Sequence, residues 1–123
     1  MSYKKSTNFR NYRGKFGEAL CAHILQCRGY EILARNYKVI GGEVDIICSK
    51  GDNLVFVEVK TWEYYTEDDI SASVNVRKLS HIQTCANAYI ADALNLHTGT
   101  YVRFDVMLAM VSHHRVIHYK GVL

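Results

Sequence analysis

Asp45, Glu58 and Lys60 carry the clearest chemical signal in this 123-residue chain. They stand in two segments, Val44-Asp45-Ile46-Ile47-Cys48 and Leu54-Val55-Phe56-Val57-Glu58-Val59-Lys60, that are otherwise branched or aromatic and read as strands. Between them, Lys50-Gly51-Asp52-Asn53 reads as a turn. With Gly51-Asp52 as a two-residue loop, Lys50 pairs with Asn53 and positions summing to 103 face each other. That register sets Asp45 across from Glu58, a few ångströms apart at Cβ. Side chains alternate along a strand, so Lys60 shares the face of Glu58 while Val57 and Val59 point into the core. Adjacent carboxylates repel, and burying them is costly unless a cation sits between them. An oxygen-only pair suits a hard ion such as Mg2+, which takes one or two protein carboxylates, several waters and substrate phosphate. A neighbouring lysine can orient or help deprotonate a water, or stabilise charge on a phosphate. The same spacing also describes an ion pair of Lys60 with two acids on an exposed sheet face, and hairpin geometry alone leaves the two readings level.

The elements that must hold these residues follow from periodicity. Over residues 12–28 two lines recur at helical spacing, one of Phe16, Leu20, Ile24 and Cys27, the other of Glu18, Cys21, Ala22 and Leu25. Glu18 heads an otherwise apolar line, so it is expected to face the protein. Gly29 is placed to end the helix in a left-handed conformation. Residues 30–39 read as a strand, and Ile40-Gly41-Gly42-Glu43 as a tight hairpin turn with glycines at its centre. Residues 61–73 are polar and acidic and read as a loop. A long helix over 73–96 is expected to bury Leu79, Ile82, Ala86, Tyr89, Ile90 and Ala93. Val102, Phe104, Val106, Leu108 and Met110 alternate as in a strand, with 115–120 pairing back onto it. The order α-β-β-β-α-β-β is that of an α/β fold around a mixed sheet.

Composition narrows the function. The length is that of one domain, and 49% hydrophobic residues with 22% charged ones describe a globular chain. There is no proline, repeat or low-complexity tract to mark a linker. No apolar run approaches a membrane span and the first residues do not resemble a secretory signal, so a soluble, cytoplasmic protein is expected, with no membrane partner. Residues 1–39 carry eight basic side chains and two acidic ones, whereas 40–75 carry two basic and eight acidic. That segregation fits a protein gripping phosphates with one part and a cation with another, and it fits ordinary surface variation too. Residues 1–11 are expected to form a mobile basic arm; Lys4, Lys5, Arg10, Arg13 and Lys15 would contact phosphates. Cys21, Cys27, Cys48 and Cys85 lack ligand spacing and are expected to be reduced and mostly buried. His113, His114 and His118 lack cysteine partners for zinc, and His23 and His81 read as packing residues. Arg103 and Asp105 read as a structural pair pointing outward. Glu43, one residue from Asp45, is expected on the other face as a supporting acid. No glycine-rich phosphate loop, Ser-His-Asp pattern or nucleophilic cysteine motif is present.

Five motifs in order extend this reading: Gly14-x-x-Gly17-Glu18-Ala19, Asn36-Tyr37, Gly42-Glu43-Val44-Asp45-Ile46-Ile47, Phe56-Val57-Glu58-Val59-Lys60 and Arg103-Phe104-Asp105-Val106. Together they resemble the YraN family of uncharacterised bacterial proteins, over nearly the whole chain after the arm. That family is similar to the PD-(D/E)XK nuclease superfamily, which includes Holliday junction resolvases. The resemblance implies a single restriction-endonuclease-like domain over residues 12–123, with an α-β-β-β-α-β core. It implies catalytic positions at Glu18, Asp45, Glu58 and Lys60, with Asp45, Glu58 and Glu18 holding Mg2+ or Mn2+. It also implies an endonuclease acting on DNA, branched or repair intermediates included, and a homodimer where two symmetric cuts are needed. The alternative is a nucleic-acid-binding module that keeps the fold without significant catalysis. The sequence departs from the superfamily pattern in having no proline before Asp45. Trp62 also stands where many relatives have arginine, and it either packs or stacks on a base. Lys78, early in the second helix, either touches a phosphate or is solvated.

Overall fold

Two turns organise the middle of the chain. In the computed structural model, strand β1 (Glu31–Val39) returns through Ile40-Gly41 into β2 (Gly42–Lys50), and β2 returns through Gly51-Asp52 into β3 (Asn53–Thr61). Gly41 and Gly51 both take positive φ, which lets so short a loop reverse the chain. The first loop lies one residue earlier than expected, because Val39 pairs with Gly42. Gly42 belongs to the strand for a packing reason: a Cβ there would overlap the His81 carbonyl and lie 2.8 Å from Cys85 Sγ. The structure describes residues 2–61, 76–93, 99–110 and 114–122, with residues 2–13 and 76–79 described by backbone alone.

Helix α1 (Ser2–Cys27) precedes the meander, and α2 (Val76–Asp92) lies between β3 and β4 (Tyr101–Met110), which pairs parallel to β3. Strand β5 (Arg115–Tyr119) folds back antiparallel onto β4, giving one mixed sheet in the order β1-β2-β3-β4-β5. The expected α/β order is therefore the order observed. Helix α1 begins at Ser2, so the backbone of the segment read as a basic arm continues the helix. No glycine or proline interrupts residues 2–13, and the polar run there carries no periodicity from which a helix could be read.

Each helix covers one face of the sheet. Cys21, Ala22 and Leu25 of α1 pack on Ile46, Cys48, Val55, Val57 and Met107. On the other face, Ile82, Cys85 and Ala86 of α2 pack on Val44, Ile47, Leu54 and Phe56. Of the two apolar lines on α1, the one headed by Glu18 is buried, whereas Phe16 and Cys27 are exposed. The end of α1 is closed as expected at Gly29, with φ of 91°. Gly29 N–H donates to the Gln26 carbonyl and Tyr30 N–H to the Leu25 carbonyl, both at 3.0 Å, while Tyr30 packs in the same cluster as Leu25. Lys50 completes this end, its Nζ donating to the Arg28 carbonyl at 2.7 Å. All four cysteines are free, and Cys21, Cys48 and Cys85 are buried. Among the described residues no helix is long and apolar enough to cross a membrane.

Candidate metal and phosphate site

The β2–β3 ladder follows the expected register from Lys50–Asn53 to Ile46–Val57 and stops there, although both strands continue. One step further, Asp45 stands opposite Glu58. In place of a ladder bond, Asp45 Oδ2 accepts the Val59 N–H at 2.7 Å. Alternation also breaks at this point. Val44 and Ile46 are two residues apart, yet Val44 packs under α2 and Ile46 under α1. On the neighbouring strand the position facing Asp45 is Asn36, whose φ of 52° is left-handed. Asparagine tolerates that conformation better than most residues. Paired irregularities in β1 and β2 thus aim Asp45 into the gap where β2 and β3 part.

Four further side chains reach this gap. Glu58 and Lys60 share the parity of Leu54 and Phe56, so they lie on the α2 side, and Lys60 Nζ is 3.4 Å from Glu58 Oε1. Glu18 comes from α1 on the opposite face and is buried. Arg35 of β1 reaches over to it, with Nη2 3.4 Å from Glu18 Oε1. Burial pushes the Asp45 carboxyl up to about 7, with the Glu58 charge adding to burial, the Val59 hydrogen bond opposing it, and Glu18 and Glu43 contributing smaller repulsion. Cys21 lies close enough for its thiol to be pushed up to about 12, by burial first and then by Asp45 and Glu18. It therefore stays protonated and is no thiolate ligand at neutral pH.

The donor set fits a hard divalent cation. It consists of carboxylate oxygens, the one soft donor is a buried thiol, and a half-buried Asp45 repelled by Glu58, Glu18 and Glu43 gains most from added positive charge. Among the described residues no three His, Cys, Asp or Glu side chains converge closely enough to hold an ion together. A magnesium site completed by waters and substrate oxygens would need only one or two of these carboxylates, whereas a closed all-protein cage would need more.

Gly17 explains how α1 comes so near. A Cβ there would overlap the Thr61 hydroxyl and lie 3.2 Å from Thr61 Cβ, so only glycine lets the helix sit this close to the end of β3, one residue before Glu18. Glu43 is exposed and paired with Lys38 at 3.8 Å, and reaches Asp45 only through its charge. Lys15 is exposed on α1. The side chains of Lys4, Lys5, Arg10, Arg13, Leu79 and Lys78, and the whole of Trp62 and His113, lie outside the described residues. His23 and His81 are exposed, not packed as expected, because each falls on the outer side of its helix.

The reading of Arg103 and Asp105 as a structural pair holds, but their outward direction does not. Strand β4 lies between β3 and β5, and Asp105 is 1% exposed. Its carboxylate accepts from Arg103 Nε at 2.9 Å, Arg103 Nη2 at 2.8 Å, His118 Nε2 at 2.6 Å and Gly121 N–H at 2.9 Å. These four bonds fill the lone-pair positions of Asp105, and Arg103 also donates to the Tyr30 hydroxyl at 2.8 Å, so the network ties the connection between α1 and β1 to β4 and β5. Arg35 is the functional candidate that periodicity did not single out. Its only sequence signal is a cation inside a strand, a position that is usually solvated.

The family model of UPF0102, an uncharacterised protein family, matches residues 17–109, a span that includes Glu18, Asp45, Glu58, Lys60 and Arg35. A UPF0102 protein of Treponema pallidum (strain Nichols) is 40% identical over 95 residues, covering 77% of this chain and 75% of its own length. One from Clostridium botulinum (strain 657 / Type Ba4) is 39% identical over 94 residues, covering 76% of each chain. Another, from Caldicellulosiruptor bescii, is 43% identical over 94 residues, covering 76% and 78%. The chain belongs to the UPF0102 family, the family called YraN above.

Proposed function

We propose that this protein is a divalent-metal-dependent endonuclease that hydrolyses phosphodiester bonds in DNA. The observation that carries the reading is the placement of Asp45 in the gap between β2 and β3, with Glu58 opposite, Glu18 behind and Lys60 beside Glu58. Asp45 and Glu58 would hold Mg2+, or Mn2+, with Glu18 as a further oxygen donor. When bound, the cation supplies charge that polarises a phosphoryl oxygen and acidifies a nearby water. Lys60, 3.4 Å from Glu58, would orient the attacking water. The Val59 N–H fixes one oxygen of Asp45. On this reading the enzyme is cytoplasmic, and it acts as a homodimer where paired cuts are made across a branched substrate.

The test is an amide NMR titration with Mg2+ and then Mn2+, on wild type and Asp45→Ala, followed by cleavage assays on duplex and branched DNA. Shifts centred on Asp45, Glu58 and Lys60 that disappear in the variant, together with loss of cleavage, are expected. Cleavage by Asp45→Ala at the wild-type rate would overturn the assignment. A second reading, a nucleic-acid-binding module without catalysis, is favoured by one observation: Glu18 and Glu58 already have basic partners in Arg35 and Lys60. It predicts negligible Mg2+ affinity and strongly salt-dependent DNA binding, most sensitive to charge reversal at Lys4, Lys5, Arg10, Arg13 and Lys15.

A further inference from the structure

The two strand arginines that meet carboxylates are held very differently. Arg103 makes three hydrogen bonds of 2.8–2.9 Å to Asp105 and Tyr30, a geometry that immobilises the guanidinium. Arg35 makes one contact to Glu18 at 3.4 Å, long for a charge-assisted bond. The Arg35 side chain is 42% exposed while that of Glu18 is 11% exposed, so the acid is enclosed and the arginine stands at the mouth. A guanidinium has five donors in a fork that matches two phosphate oxygens, and among the described residues this one spends a single long bond on its partner. The strand geometry supports the placement. Arg35 pairs with Ile46 and precedes the left-handed Asn36, so it stands beside the same irregularity that turns Asp45 into the gap.

Charge sharpens the point. Among the described residues Glu18, Asp45 and Glu58 meet Arg35 and Lys60, three acids against two bases, while Glu43, which also repels Asp45, is paired with Lys38. A dication added to the fully ionised set leaves one positive charge, which a phosphodiester would neutralise. We propose that Arg35 is a phosphate-binding residue of this site, holding Glu18 when no cation is bound and turning to a substrate phosphate when a divalent cation takes its place. This rests on the metal-dependent reading above and adds a residue to it. It makes cation and phosphate binding mutually reinforcing, because each relieves the charge imbalance left by the other.

The full chain is compared with Arg35→Gln and Arg35→Lys, after confirming that all three melt cooperatively. Ca2+, which shares the preference for oxygen ligands, is titrated by amide NMR. Binding of a dye-labelled DNA duplex is followed by fluorescence anisotropy in Ca2+ and in EDTA. Arg35→Gln should bind Ca2+ more tightly, having lost the competitor for Glu18. It should bind DNA about tenfold more weakly in Ca2+, the size of one charge-assisted hydrogen bond, and nearly as well as wild type in EDTA. Arg35→Lys, with charge but no fork, should fall between. Equal loss of DNA affinity with and without cation, or unchanged or weaker Ca2+ binding in Arg35→Gln, would overturn the proposal and leave Arg35 as a structural counter-ion. If wild type binds Ca2+ and DNA but Arg35→Gln changes neither, this inference alone fails. If wild type binds no cation, the metal-dependent reading fails and takes this inference with it.

Discussion

Asp45→Asn should stabilise the fold at neutral and alkaline pH while removing the proposed activity. The Asp45 carboxyl is pushed from 3.8 to about 7, first by burial and then by Glu58. A raised folded-state value means that the folded chain holds the proton more tightly than the unfolded chain. Stability from this group is thus fully present below the unfolded value near 3.8 and is lost as pH rises through about 7. At about 1.36 kcal/mol per pH unit, that window spans roughly 4 kcal/mol, and solvent screening at a half-buried group lowers the expected range to roughly 2–4 kcal/mol. Asparagine keeps an acceptor for the Val59 N–H at 2.7 Å and carries no charge to bury. Urea denaturation followed by circular dichroism, on wild type and variant at intervals from pH 4 to 9, reads the difference directly. Near pH 4 the two curves should nearly coincide. By pH 8 the variant should be roughly 2–4 kcal/mol more stable, with no further divergence above. Saturating Mg2+ should narrow the gap from the wild-type side, since a ligand at about 100 times its Kd adds about 2.7 kcal/mol to the state that binds it. A difference independent of pH, or a variant less stable than wild type at pH 8, would refute the account of Asp45 as a destabilised carboxylate.

Gly17→Ala must push α1 off Thr61, and overpacking of this kind costs roughly 1–3 kcal/mol. Gly14→Ala meets nothing within 4 Å and should stabilise the helix by up to about 1 kcal/mol, so thermal melts of the two variants should move in opposite directions. Burial alone would raise the Asp105 carboxyl, but hydrogen bonds from His118, Arg103 and Gly121, with the Arg103 charge, hold it down at about 2. Its contribution is present above the unfolded value of 3.8 and lost as pH falls through about 2. Asp105→Asn should therefore cost roughly 2–4 kcal/mol at pH 7 by leaving the partly buried Arg103 without its carboxylate, and a urea titration at that pH measures the loss.

The order of elements was legible because each announces itself locally. Gly51-Asp52 dictates the second hairpin, and its register follows by counting, so Ile46–Val57 and Lys50–Asn53 fall where the sum of 103 puts them. Gly29 similarly closes α1. What escaped is whatever depends on contacts between distant segments. The line of α1 that is buried could not be chosen from two equally periodic lines, because the choice is made by the sheet it meets. Asp105 reads as outward on a regular strand, and only the cover provided by β5 and Tyr30 makes it internal.

The same limit bears on the site. Regular alternation puts Asp45 on the face opposite Ile46, beside Glu58 and Lys60 alone, which describes a two-acid ion pair as well as a metal site. The observed strands depart from alternation at Asn36 and Asp45, where β1 and β2 face each other. That departure brings Asp45 under the influence of Glu18, from the helix on the other side of the sheet, as well as of Glu58. Ordinary surface pairing gives no reason to bring acids from both faces within electrostatic reach of Asp45 at a place where β2 and β3 lose their ladder. It costs a backbone irregularity, a helix held close by a glycine, and a carboxylate raised to about 7. Costs of this kind collect at functional sites, where surrounding structure holds an arrangement that stability alone would remove. On the proposed reading, the local defect in alternation, more than the spacing of Asp45, Glu58 and Lys60, is what separates a binding site from a decorated sheet.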